Sequence, residues 1–198
     1  MKTLSLGILA VVSLTSVRAQ FQQGDVELAL SGTVGAWSTS YTFGQQTNSE
    51  SRNVLMLGIT TGYFLTDGFS VEPEFVFMAV EKQSPGHSIL ANVSYTYFGA
   101  ESKVAPFVRV GYGISNSFSF MGNQSFLSRV SDKLDVTVLQ AGGGIKVLVA
   151  TGAAIRLELN YKNQSFTRED PGFFGSGSFE TKMGNTYVGL LVGLSVLL

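Results

Sequence analysis

Ionisable and amide side chains recur at alternate positions within otherwise apolar segments of this chain: Glu72 and Glu74, Arg109, Gln140 and Lys146, then Arg156, Glu158 and Asn160. Alternate residues of a strand share a face, so acids and bases at this spacing gather on one side while the residues between them stay hydrophobic. Carboxylates, guanidiniums and an ammonium collected in one interior can relay protons or ions. They can also satisfy one another as a buried ion-pair network, in which removing one partner strands the other at a cost of ~3–5 kcal/mol. The network is the expected reading.

A second constellation surrounds the single histidine. His87 adjoins Ser88, with Ser84 and Glu81 a few residues earlier. Hydrolysis by a Ser/His/acid set needs the base within hydrogen-bond reach of the hydroxyl and an acid to orient it. Neighbouring strand residues point to opposite faces, so His87 and Ser88 would diverge. Ser84-Pro85-Gly86-His87 has ordinary turn composition and fixes no geometry. A histidine without chemistry is expected, and with it a chain that is not an enzyme. The sequence contains no cysteine, which excludes a disulfide framework and thiolate chemistry; no metal or cofactor is expected. Net charge is −1 without a basic stripe, so nucleic acid is not an expected partner.

The elements that must position these residues are strands. Residues 1–19 read as a signal peptide, with a charge at Lys2, an apolar core from Leu4 to Leu14 and a small-residue site ending at Ala19. That core is short of the ~20 residues a membrane helix requires. Residues 20–198 then form one domain. Only 14% of the chain is charged, against ~25% for typical soluble proteins. Period-2 alternation places strands at 25–37, 53–65, 69–81, 88–98, 105–115, 135–149, 153–162 and 185–198. The connections alternate between polar, mostly long segments (38–52, 82–87, 116–134, 163–184) and short ones (66–68, 99–104, 150–152). In the last strand Val188, Leu190, Val192, Leu194, Val196 and Leu198 make one wholly apolar face.

Strand length, loop alternation and an apolar face on every strand together predict an eight-stranded antiparallel up-and-down β-barrel in an outer membrane, with short periplasmic turns and longer external loops. A barrel of this size has room inside for side chains only, which disfavours an open pore. The outward sets include Leu55, Leu57 and Ile59, Phe75 and Phe77, Leu139 and Ile145, Ile155 and Leu157. Trp37, Tyr63, Phe69, Tyr95, Tyr97 and Tyr161 would form aromatic rims at the two interfaces. Gly58, Gly62, Gly111, Gly113, Gly142, Gly144, Gly189 and Gly193 fall on the inward faces, where a missing side chain makes space for a long polar one. Pro73, lacking an N–H, predicts a bulge or local irregularity in its strand. The loops carry Phe118, Phe120, Phe126, Phe166, Phe173, Phe174 and Phe179. These are either a binding surface or the packed rim of strands five to eight continuing above the membrane, and the sequence leaves both open. Gly35-Ala36-Trp37 matches the short G-x-W element of lipocalins, so a soluble ligand-carrying barrel is an alternative, although apolar outward faces argue against it.

Over residues 25–198 the chain resembles the small outer-membrane β-barrel superfamily that includes OmpA-type transmembrane domains and OmpX. The residues that carry the resemblance are the signal peptide, the eight-strand pattern, the alternating terminal strand and Gly68-Phe69-Ser70-Val71-Glu72-Pro73-Glu74, which opens strand three with inward acids. The chain departs from the family in ending on Leu198 rather than an aromatic residue. The resemblance implies a non-enzymatic structural or surface-interaction role, contact with outer-membrane lipid and lipopolysaccharide, insertion guided by the C-terminal strand, and a monomer. Some small barrels modify outer-leaflet lipid, and that enzyme is the alternative function.

Overall fold

Alternating sequences of this kind bury one face and expose the other, and a sheet can do so along every strand only by curling onto itself. The computed structural model describes residues 21–43, 46–80, 85–99, 102–116, 136–171 and 178–198. Its strands are β1 (Val26–Phe43), β2 (Gln46–Thr66), β3 (Phe69–Val80), β4 (Gly86–Thr96), β5 (Val104–Ser115), β6 (Val136–Ala150), β7 (Ala153–Pro171) and β8 (Ser178–Leu197). Each pairs antiparallel with its neighbours in sequence, and β8 returns to β1 to close the barrel. Closure leaves the apolar sheet without the free edges that invite aggregation.

The two faces separate as alternation requires. Leu28, Leu30 and Val34 on β1, Leu55, Leu57 and Ile59 on β2, and Val188, Leu190, Val192 and Leu194 on β8 are exposed, while the residues between them face inward. A band of Leu, Val and Ile on the outside is unfavourable in water at about 25 cal/mol per Å2 and suits hydrocarbon. The barrel therefore spans the bilayer with this band.

Two tight turns set the register at one end. Thr66 pairs with Phe69 around Asp67-Gly68, and Ala150 with Ala153 around Thr151-Gly152, each preceded by a register shift. Gly68 and Gly152 have φ of 79° and 76°, the left-handed region that favours glycine. At Pro73 the strand carries no bulge: the β3–β4 register runs through it unshifted, opposite Ala91. The irregularity is instead a lapse in the β2–β3 ladder, where Thr61 and Gly62 have no bridge to Pro73 and Glu72 although the register is the same on both sides. A residue with no N–H to donate leaves its bond unmade without shifting the strand. The bulge itself falls at the turn, between Phe64 and Thr66.

Four strands are longer than their sequence pattern. The segment 38–52 was expected to be a loop, and for 163–184 the continuation of strands seven and eight above the membrane was left open; β1 and β2 pair from Val26↔Tyr63 to Phe43↔Gln46, and β7 and β8 pair from Ala153↔Val196 to Pro171↔Ser178. β3, β4 and β5 have only 12, 11 and 12 residues, close to the ~9–11 that cross a bilayer. β1, β2, β7 and β8 have 18, 21, 19 and 20. Because β1 pairs with β8, the surplus forms one continuous wall, β2–β1–β8–β7, standing above the apolar band on the side away from the tight turns. Both faces of such an extension can carry polar residues, so alternation of hydrophobicity does not reveal it.

The β1–β8 seam has one interruption. Its ladder runs from Glu27↔Leu197 to Gly32↔Val192 and resumes at Trp37↔Tyr187 in the same register. Buried Tyr187 lies over this stretch: a Cβ on Gly35 would sit 3.0 Å from its ring, and one on Gly189 would collide with its hydroxyl. The Tyr187 hydroxyl is 2.8 Å from Thr33 Oγ1, so the aromatic side chain packs into the space that the glycines leave.

Candidate functional site

The inward positions of the barrel stack in three layers. Nearest the tight turns, Phe21, Phe64, Ala105, Leu148 and Ala154 form an apolar cluster with Phe98 and Leu197 packed against it. Toward the other end Val54, Met56, Val76, Met78, Leu90, Val138 and Tyr187 form a second. Between them lies a belt of charge, with Glu27, Glu72, Glu74 and Glu158 set against an equal number of bases, Arg109, Lys146, Arg156 and Lys162, all of them buried.

Glu158 is the hub. Its Oε1 accepts from Arg109 Nε at 2.7 Å and from Asn160 Nδ2 at 2.7 Å, and its Oε2 accepts from Arg156 Nε at 3.1 Å. Arg109 also reaches Glu74 at 3.1 Å, and the same Glu74 oxygen accepts from Asn92 and Gln140, each at 3.1 Å. Arg156 reaches Glu72 at 3.6 Å, and Lys162 lies 3.8 Å from Glu74. Lys146 donates to Glu27 at 2.5 Å, with the rings of Phe21, Phe64 and Phe107 at 4.8, 5.8 and 5.5 Å from its Nζ. Rings at such distances add cation–π attraction to the ion pair. Glycine makes room for these long side chains, as the sequence suggested: a Cβ on Gly111 would run into Asn92 Oδ1, and one on Gly142 into Glu158 Oε1.

All the polar residues singled out from the sequence, Glu72, Glu74, Arg109, Gln140, Lys146, Arg156, Glu158 and Asn160, lie in this belt. Glu27 and Lys162 belong to it too and were not singled out. Glu27 shares its parity with Ser31 and Thr33 on a strand whose glycines blur the two faces, and Lys162 is the last residue of its expected strand, where a lysine reads as an interfacial charge. Several belt oxygens are buried without a hydrogen-bond partner, among them Ser94 Oγ, Thr96 Oγ1, Gln140 Oε1 and Glu27 Oε1. Buried polar atoms of this kind are commonly met by internal water. Chemically, the belt neutralises itself and is capped at both ends by hydrocarbon.

Of the rim aromatics, Tyr63, Phe69, Tyr95 and Tyr97 are exposed toward the tight-turn end, where Phe69 pairs with Tyr95, and Tyr161 is exposed on β7. Trp37 pairs with Arg52 and Tyr187 in the backbone ladders; its side chain lies outside the described set. His87 and Ser88 diverge. The His87 ring stacks on Phe75 with centroids 6.0 Å apart, whereas Ser88 is buried and donates to Ser115 Oγ at 2.8 Å. Glu81 and Ser84 fall outside the described residues, as do Phe118, Phe120, Phe126, Phe173 and Phe174. Phe166 and Phe179 are in β7 and β8. Among the described residues no group of His, Cys, Asp and Glu is arranged to hold a metal ion.

Comparison with known proteins agrees with this architecture. Among solved structures the chain is similar to Neisserial surface protein A, at 14% identity and a TM-score of 0.50 over 88% of this chain and 99% of that one. It is also similar to outer membrane protein OprG of Pseudomonas aeruginosa, at 14% identity and a TM-score of 0.45 over 89% and 97%. For the N-terminal β-barrel domain of Pseudomonas aeruginosa OprF the values are 18% and 0.44 over 87% and 98%. A search among curated proteins finds no match. Residues 7–194 match the model of the outer membrane protein beta-barrel domain, and with a closed eight-stranded barrel, an apolar belt outside and a self-neutralised lumen inside, the chain belongs to that family and to the bacterial outer membrane.

Proposed function

We propose that the protein is a non-enzymatic, non-conducting barrel that holds the wall β2–β1–β8–β7 and its loops above the membrane for contact with external ligands. The observation that carries this reading is the wall. The outward residues of these strands change from Leu, Val and Ile to exposed Ser38, Thr47, Ser49, Ser51, Asn53 and Ser165, so the sheet leaves the hydrocarbon and continues into water. A strand extension of this length adds nothing to membrane crossing and is a means of presenting a surface. The capped, charge-balanced lumen supports the non-conducting part, since aqueous channels belong to barrels of about 16 strands or more. Lipid and lipopolysaccharide would meet the apolar belt and the residues just above it, the C-terminal strand would be read by the insertion machinery, and the barrel would act as a monomer.

Register suggests how to remove the wall alone. Joining Ser38 to its partner Ser51, and Ser165 to its partner Gly184, by two-residue Asn-Gly turns should leave the membrane portion intact. Cells displaying the full-length and the shortened proteins would be compared for adherence to bare, serum-coated and mucin-coated surfaces, with heat-dependent gel mobility confirming that both barrels fold. Adherence should fall with the shortened form, and equal adherence would remove the surface role. In planar bilayers the purified protein should give no discrete conductance steps; stable channel openings would overturn the non-conducting reading.

A further inference from the structure

The apolar cluster at the tight-turn end is not built from strands alone. Phe21 precedes β1, yet it is 1% exposed: its ring stacks on Phe98 at 4.5 Å, tilts against Phe64 at 5.4 Å and lies 4.8 Å from Lys146 Nζ. The segment is held by a few bonds to the β2–β3 turn, with Gly68 N donating to Phe21 O at 3.1 Å, Gln23 N to Asp67 Oδ1 at 3.1 Å and Gly24 N to Phe64 O at 2.9 Å. Gly24, where the segment turns into β1, has φ of 94° and open space where a Cβ would be. This is a short strap with a left-handed glycine at its base and one aromatic ring inserted in the barrel end. Against the ring lies Lys146, itself paired with Glu27, and two and four residues before Phe98, at inward positions of β4, come Thr96 and Ser94, whose hydroxyls are buried without partners.

We propose that residues 21–23 form a hinged plug that turns about Gly24, and that its release, without separation of any strand pair, admits water from the periplasm to the buried hydroxyls of Thr96 and Ser94. The plug is the movable part because its hold is an aromatic contact and a few hydrogen bonds, two of them at the β2–β3 turn, whereas each neighbouring strand is held by a ladder of many bonds.

The chain has no cysteine, which makes thiol labelling a clean probe. Thr96→Cys in the folded, detergent-solubilised protein would be treated with a cationic methanethiosulfonate reagent, with exposed Ser102→Cys as the reactive standard and Leu90→Cys, in the opposite apolar cluster, as the control for general loosening. Thr96→Cys should react slowly, and adding Phe21→Ala should speed it by about tenfold or more while Leu90→Cys stays slow, because labelling follows the population of the open form. Asp67→Ala, which removes one tie and leaves the rings in place, should give a smaller increase and serves as the second variant if Phe21→Ala does not fold. Unchanged Thr96→Cys reactivity in both backgrounds would overturn the plug, as would a parallel rise at Leu90→Cys, which would mean that the whole barrel had loosened.

Discussion

Replacing Glu158 by Gln is expected to lower the stability of the folded barrel by about 3–5 kcal/mol, the range for breaking a buried ion pair, here with two guanidiniums each losing one of their carboxylates. The substitution is nearly isosteric, so packing is retained and the loss isolates charge. Glu158 serves two guanidiniums at once, Arg109 at 2.7 Å and Arg156 at 3.1 Å, and the amide that replaces it presents an NH2 to one of them. Arg109 keeps Glu74 at 3.1 Å and Arg156 keeps Glu72 at 3.6 Å, which leaves each positive group short of charge rather than wholly unpaired. Urea unfolding in detergent micelles would measure the effect. Lys162→Met is the comparison, since its contact with Glu74 is 3.8 Å and its removal should cost less. A loss below about 1 kcal/mol for Glu158→Gln, the range of solvated surface pairs, would mean that water screens the belt and that the lumen is not sealed.

Gly144→Ala should prevent the barrel from closing correctly, with a loss of about 3 kcal/mol or more, at or beyond the upper end of ordinary overpacking. The new Cβ would run into Leu157 O and lie 2.8 Å from Glu158 Cα; both atoms are backbone, so no side-chain rotation relieves them and the β6–β7 ladder must part. It would do so beside the hub glutamate. Gly143→Ala, one residue earlier, is the control, because its nearest neighbours are Phe107 O at 3.5 Å and a Val108 methyl at 3.6 Å, ordinary contacts compatible with a change within about 0.5 kcal/mol. The fraction of protein showing heat-dependent mobility after refolding into micelles would separate the two. Equal yields would show that β6 and β7 have more room than their register implies.

These expectations rest on features of unequal visibility in the sequence. The alternation Arg156, Glu158, Asn160 between Ile155, Leu157 and Leu159 identifies both the lumen and the lipid face of β7, because one face meets hydrocarbon and the other does not. Where the strands leave the membrane that contrast disappears. Ser38, Ser49 and Ser51 carry no periodic signal although they lie in β1 and β2, and that half of the wall was therefore expected to be loop. Pro73 was visible as a disturbance but not as its kind, since the chain cannot tell whether a missing donor will shift a register or merely leave a bond unmade. Phe21 lies outside every strand pattern, and only its place among Phe64, Phe98 and Lys146 marks it as part of the interior.

By itself the sequence determined the strand count, the antiparallel order and which residues turn toward lipid, because each follows from a period of two and from the solvent that each face must meet. Tertiary structure alone decided the pairing of Glu158 with Arg109 and Arg156, the Lys146–Glu27 contact across the closure, the Phe21 plug and the continuous wall across the β1–β8 seam. Those depend on which strands the barrel brings opposite one another and on how far each hairpin continues. Contacts between distant parts of the chain are set by closure and register, and no local pattern of residues encodes them.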